Sequence, residues 1–231
     1  MKGDFLMPGY ILHLASARMF LDRLPVDSRY RNDLKVQNDF YIGNLLPDAV
    51  SPKESSHFYD SVFRDRMIVW PRPEKFLDKY RDRLEDPVFW GYFYHLYIDK
   101  KFLQEYLPGR VEYYDCRGHR TEIKEEVREV LIRKSSEWVE RDRYLSEEYY
   151  YGDYTKMNTY LWERYHLPEE LSLDHDPGIE EIREADLGQI FCQIKEYRKI
   201  PAKAVNNLRV FDMEELLKFL EHAADEAVRL F

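Results

Sequence analysis

Asp86-Pro87-Val88-Phe89-Trp90-Gly91-Tyr92-Phe93-Tyr94-His95-Leu96-Tyr97-Ile98-Asp99 is the stretch that decides the fold. Asp86 followed by Pro87 is an N-cap and first-turn pair: the carboxylate can accept from the free amides of the first turn, and the proline needs no donor there. From Val88 to Leu107 the run is dense in aromatic residues and lacks a clean polar face, which predicts a helix buried on most of its circumference. Such a helix must be enclosed by others, so it is the expected centre of the molecule. Inside it, His95 and Asp99 stand four residues apart and project from one face into the same space.

Outward from this stretch the pattern stays helical. A helix is expected over about 8–24, with Pro8 in its first turn and Ile11, Leu12, Ala15, Met19 and Phe20 at three- and four-residue spacings. A second, over about 33–46, runs into Gly43-Asn44-Leu45-Leu46-Pro47-Asp48, where the proline should stop it. Residues 51–71 read as irregular or briefly helical, and Trp70-Pro71-Arg72-Pro73 as a turn before a short charged helix over about 73–84. Residues 111–121 are either a small hairpin turning near Gly118 or a loop. A charged amphipathic helix is predicted over about 122–142, then a Tyr-rich stretch and a helix over about 154–166. Asp176-Pro177 is expected to open a helix reaching about 198, and Asp212 with Glu215 forms a capping-box-like start for a last one over about 213–230. The expectation is an all-α bundle of some seven helices, a single helical domain over 1–231 with its chemistry concentrated in about 8–105.

Composition narrows the function. The chain has 231 residues, with 35 Lys+Arg against 44 Asp+Glu for a net charge of −9, which argues against binding nucleic acid by charge alone. Its 19 Tyr, 13 Phe and 4 Trp supply more burial potential than a disordered chain carries. No run of about 18 apolar residues occurs, so no integral membrane segment is expected. Met1-Lys2-Gly3-Asp4-Phe5-Leu6-Met7-Pro8 has an Asp and a Pro where a secretory apolar region should run, which makes the cytoplasm the expected compartment. Cys116 and Cys192 are far apart and form no Cys-x-x-Cys, so they read as two buried free thiols rather than a disulfide or a thiolate zinc site.

His95 and Asp99 alone are an ordinary helical pair; the rest of the set gives them weight. His13 lies in the middle of the first helix, Asp48 follows a proline-terminated helix, and His57 comes nine residues later, so each can deliver one ligand from a separate element. An ionised Asp is costly to bury without compensation, and helical bundles assemble ion sites from inward-facing His and carboxylates. Imidazole nitrogen with carboxylate oxygen suits zinc, iron or manganese.

In that order, His13, then Gly43-Asn44-Leu45-Leu46-Pro47-Asp48, then Ser56-His57-Phe58, then Gly91 to Asp99, the chain resembles the zinc-dependent phospholipase C family, an all-helical fold related to the S1/P1 nucleases. The likeness covers about residues 8–105. It implies that Asp48, His57, His95 and Asp99 hold one divalent metal and that Asp99 bridges to a second, which His13 also binds. It further implies hydrolysis of a small-molecule phosphoester by a metal-activated water, with Asp48 as candidate acceptor of the water's proton. The chain departs from the family in three places. Secreted members begin with a Trp whose free amine ligates metal, whereas this chain begins Met1-Lys2; a His shortly after the His-x-x-x-Asp is replaced by Lys100-Lys101-Phe102; and the one later His-x-x-x-Glu, His166 to Glu170, contains Pro168. A third metal is therefore not expected, and the second needs another donor. Asp153 is the candidate, an ordinary N-cap being its other reading.

Two competing readings follow from the residues. One keeps the helical fold and a bound metal, or none, but works by association without catalysis. The other takes His175-Asp176 as the dipeptide of an HD-type phosphohydrolase, although Pro177-Gly178 behind it points to helix capping. Arg64 and Arg66 could reach a substrate phosphate, while His119 and His222 read as surface or packing residues. No Gly-rich phosphate loop, Gly-x-Ser-x-Gly elbow or His-Glu-x-x-His occurs.

Overall fold

The computed structural model describes residues 9–183 and 185–230. The readings placed on Met1 to Pro8, a start that lacks a secretory apolar region and a first-turn proline, lie outside the described residues. Within them the chain is mostly helical: α1 (Tyr10–Arg23), α2 (Arg29–Asn32), α3 (Leu34–Leu45), α4 (Pro73–Tyr80), α5 (Pro87–Lys101), α6 (Arg141–Tyr144), α7 (Tyr150–Tyr165), α8 (Leu187–Tyr197) and α9 (Met213–Ala227). Among the described residues, no helix is long and apolar enough to cross a membrane.

The aromatic stretch forms α5 as expected. Asp86 caps it by accepting from the Val88 amide at 3.0 Å, and every residue from Val88 to Asp99 except Tyr97 is buried. Its closest companion is α3, and the reason is two glycines. A methyl placed on Gly43 would stand 2.0 Å from the Val88 carbonyl oxygen, and one on Gly91 would stand 2.1 Å from the Phe40 carbonyl oxygen. The two backbones touch directly at this crossing, a separation that only glycine permits. Asn44 fastens the contact by donating from Nδ2 to the Gly91 carbonyl at 3.3 Å.

α1 packs on α3, α5, α7 and α9, and between Ile11 and Leu21 it buries every residue except Arg18. Its register against α5 is fixed by Tyr94, whose hydroxyl donates to the Ser16 carbonyl at 3.0 Å and lies 2.9 Å from the Ser16 hydroxyl. α3 stops at Leu45, and a tight turn over Leu46–Ala49 carries Pro47 where no amide is needed and leaves Asp48 facing inward, 6% exposed.

The all-α expectation fails in one region. Residues 122–140 do not form the expected helix, and only the short α6 begins at Arg141: they hold two strands, β2 (Glu129–Ile132) and β3 (Glu137–Glu140), which join β1 (Val111–Tyr114) in an antiparallel sheet of order β1-β2-β3. Val111 faces Ile132, Tyr114 faces Glu129, and Ile132 faces Glu137. Val130, Ile132 and Val139 alternate inward with Val111 and Tyr113, the period-two pattern of a half-buried sheet. β-branched residues at those positions lose little in a strand and more in a helix, and Ser136 at a φ of 55° turns the chain between β2 and β3. The tight turn near Gly118 does exist, with the Asp115 amide donating to the His119 carbonyl at 2.9 Å.

Two smaller expectations also change. Asp176 opens no helix: its Oδ1 accepts from the Gly178 amide at 2.8 Å, Gly178 has a φ of 72°, and helix α8 starts only at Leu187 under a cap from Asp186. Both cysteines are exposed rather than buried, Cys116 in the turn after β1 and Cys192 on the outer face of α8. In the carboxy-terminal part, the irregular segment 208–211 is gripped from two sides. Lys134 donates to the carbonyls of Leu208 and Phe211 at 2.9 and 2.8 Å, and the Asp153 carboxylate accepts from the amides of Arg209, Val210 and Phe211.

Candidate metal centre

His13 from α1, Asp48 from the turn after α3, His57 from the loop that follows, and His95 and Asp99 from α5 converge on one place. All five are 0–6% exposed. The α3–α5 crossing positions the set. Because the backbones meet at Gly43 and Gly91, the Asn44 carbonyl reaches His95 Nδ1 at 2.8 Å, four residues along α5 from Gly91. Tyr92 donates from its hydroxyl to the Ser56 carbonyl at 2.6 Å and so ties the His57 loop to the same helix. The Ser16–Tyr94 pair sets α1 so that the His13 and His95 rings stack with centroids 3.8 Å apart.

Hydrogen bonds fix the tautomers. His95 Nδ1 faces the Asn44 carbonyl at 2.8 Å, and His57 Nδ1 faces the Lys53 carbonyl at 3.1 Å. A carbonyl only accepts, so each ring carries a proton on Nδ1. The two Nε2 atoms then present lone pairs toward each other at 3.2 Å. Lone pairs at that distance repel unless one ring takes a second proton or both share a cation.

The carboxylates complete the arrangement. Asp99 Oδ2 lies 3.5 Å from both His57 Nε2 and His95 Nε2, whereas Asp99 Oδ1 lies 3.1 Å from His13 Nε2. Asp48 Oδ1 is 3.5 Å from His57 Nε2 and 2.6 Å from Lys53 Nζ. Separations of 3.2 and 3.5 Å among His57, His95 and Asp99 match the roughly 3.3 Å expected between ligand atoms of a four-coordinate ion with bonds of about 2.0–2.1 Å. Apart from the 3.1 Å ion-pair contact between His13 Nε2 and Asp99 Oδ1, neither His13 Nε2 nor either Asp99 oxygen makes a hydrogen bond, and all three are buried, which leaves donor lone pairs for an ion. The donor atoms of His57, His95 and Asp99, and those of His13, Asp48 and His95, lie close enough to hold a metal ion.

Electrostatics sharpen the same picture. Burial alone would raise the Asp48 and Asp99 carboxyls, but the outcome is the reverse. Lys53 and the neighbouring His57 and His95 hold Asp48 below the usual carboxylate range, while His95, His13 and His57 hold Asp99 well below it. Burial and the nearby His13 push His95 down to about 4. His57 moves the other way: burial opposes its charge, yet the Asp48 and Asp99 carboxylates, each 3.5 Å from Nε2, outweigh that and raise it. Two ionised carboxylates thus sit in a dry pocket with one neutral imidazole and one that attracts a proton. Tyr10 and Tyr59, raised first by burial and then by Asp48 or Asp99, stay neutral beside them.

The remaining sequence candidates stand apart. Asp153 is fully buried, but it is neither an N-cap nor near enough to join either ligand group. It sits in the first turn of α7, where its carboxylate is saturated by the amides of Arg209, Val210 and Phe211 and by Lys156 Nζ at 3.2 Å. The expectation that it supplies a second metal's donor is therefore corrected: three backbone amides already satisfy its charge. His175 and Asp176 are exposed, which removes the HD-type arrangement among the described residues. His166 ends α7 with a φ of 47° and is exposed, as is Glu170. Arg64 and Arg66 are paired with Glu54 and Glu122.

Lys53, Asn44, Gly43 and Gly91 hold or orient the candidate ligands, and sequence reasoning assigned them no such role. A glycine inside a run of bulky aromatics is itself a signal of close backbone approach, and Gly91 lies one turn before His95. No such signal marks Lys53, whose carbonyl and side chain act on two different ligands. Comparison with family models, with curated proteins and with solved structures finds no match to this chain.

Proposed function

We propose that this chain is a metal-dependent phosphoester hydrolase of the zinc-dependent phospholipase C type. The observation that carries the reading is the pair of Nε2 lone pairs 3.2 Å apart, flanked by one Asp99 oxygen while the other turns to His13. That arrangement suits one ion held by Asp48, His57, His95 and Asp99, with Asp99 able to share a second ion with His13. A divalent ion in this donor set supplies Lewis acidity, polarising a phosphoryl oxygen and bringing the pKa of a water from about 15.7 toward about 7. Zinc fits a nitrogen and carboxylate set of four, and iron or manganese accept the same donors.

The protein's own contribution is orientation and proton handling. Asn44 and Lys53 carbonyls lock the two imidazoles with Nε2 toward the centre. Asp48 Oδ1 is the oxygen that faces His57 Nε2, at 3.5 Å, so Oδ2 is the oxygen that would accept a proton from an attacking water. An ionised carboxylate is a weak base, so Asp48 would serve as acceptor only for a water already acidified.

Complete burial of the five residues favours a second reading, a metal that stabilises the fold without turnover. Elemental analysis of protein purified without chelators, paired with an assay on an aryl phosphodiester, separates the two. Bound divalent metal with hydrolysis that disappears in Asp99→Asn supports the hydrolase. Bound metal with no rate above buffer leaves the structural ion, and protein free of metal after exposure to zinc overturns both.

A further inference from the structure

Lys53 acts on the centre in two ways. Its carbonyl accepts from His57 Nδ1 at 3.1 Å, from the His57 amide at 3.0 Å and from the Ser56 hydroxyl at 3.1 Å, so the backbone is fixed. Its side chain is a separate matter: Nζ lies 2.6 Å from Asp48 Oδ1, reaching a carboxylate 2% exposed from a position 24% exposed. Asp48 Oδ1 is also the oxygen nearest His57 Nε2, at 3.5 Å. An ammonium on a four-carbon stem thus rests on an oxygen that belongs to the candidate ligand set, with its own body toward the outside.

Resting on the hydrolase reading above, we propose that Lys53 is a tethered cation that balances Asp48 when no metal is bound and binds the substrate's anionic phosphoryl oxygen when metal is present. The charges require some such exchange. Asp48 and Asp99 are two carboxylates in a buried site, and the Lys53 ammonium, 2.6 Å from Asp48 Oδ1, balances one of them in the free protein. A divalent ion offsets both carboxylates by itself, so the ammonium becomes surplus there, and a partly exposed lysine beside a phosphoester site has an obvious acceptor. The neighbouring arginines are already committed, Arg64 to Glu54 and Arg66 to Glu122.

The test uses the full chain, stripped with chelator, titrated with zinc and then with inorganic phosphate, comparing wild type with Lys53→Met and Lys53→Arg. Matching thermal transitions of the zinc-loaded proteins establish that the variants are folded. Lys53→Met is expected to bind zinc about tenfold more tightly, because a competitor for Asp48 is gone, and to bind phosphate at least tenfold more weakly once loaded. Lys53→Arg should recover most of the phosphate affinity. Unchanged phosphate affinity in zinc-loaded Lys53→Met, or weaker zinc binding in that variant, overturns this inference alone. A wild type that binds no zinc overturns the reading of the site and this inference with it.

Discussion

Helix α5 and the segment 122–142 are both dense in information, yet one folds as its sequence suggests and the other does not. α5 is apolar on nearly every side, and any helix period gives the same answer when there is no polar face to misplace. Residues 122–142 are charged and half-buried, and Ile123, Val127, Val130 and Leu131 satisfy a helical spacing as well as Val130, Ile132 and Val139 satisfy a strand's. The pattern alone could not choose. The β-branched side chains and the Ser135-Ser136 turn did, because a sheet on the β1 edge buries them with their backbone groups paired. Fully buried elements are legible from composition, whereas amphipathic ones depend on which neighbour is present.

The contrast predicts where damage should travel. The largest effect is expected at the α3–α5 crossing: Gly91→Ala forces a methyl to 2.1 Å from a backbone oxygen that cannot give way, and about 3 kcal/mol or more of stability should be lost. Urea unfolding measures the loss, and metal content should fall with it, since Asn44 no longer meets His95. A Gly91→Ala protein as stable as wild type would show that the helices do not touch by backbone. Next comes Asp99→Asn, which keeps the shape of α5 but removes the shared carboxylate. Zinc affinity should drop at least about 100-fold, beyond the range usual for residues that merely orient a ligand. Calorimetry of the chelator-stripped protein reads that change directly.

Outside the centre the effects should be smaller and should leave the metal untouched. Asp153→Asn loses a charged acceptor shared by three amides and should cost about 2 kcal/mol by thermal or urea unfolding, with zinc stoichiometry unaltered. A changed stoichiometry would restore Asp153 as a ligand. The mildest change is Ser136→Gly in the turn between β2 and β3. At a φ of 55° glycine relieves strain but adds freedom to the unfolded chain, so a shift within about 1 kcal/mol is expected, again without effect on metal.

How much of the centre was readable follows from the same physics. His13, Asp48, His57, His95 and Asp99 were named from residue type and the elements that carry them, and the structure brings all five together. Asp153 misled because a buried acid in a Tyr-rich helix start looks the same in sequence whether it meets a metal or a row of amides. Which of these it meets is decided by segment 208–211, more than fifty residues away in the chain. Lys53 escaped notice for the opposite reason: a lysine in a polar loop is commonplace, and only its 2.6 Å contact with Asp48 distinguishes it.

That same grip on segment 208–211 has a consequence for hydrogen exchange. The amides of Arg209, Val210 and Phe211 belong to no helix or strand, yet all three point at one buried carboxylate on α7, while Lys134, just past β2, holds the carbonyls on either side. Irregular backbone ordinarily exchanges its amide protons quickly, but these three can do so only when α7 and the sheet release the segment. The protons of Val210 and Phe211 therefore form a natural gauge, and their exchange relative to that of α5 reports whether the sheet region opens alone or only when the metal-binding core opens with it.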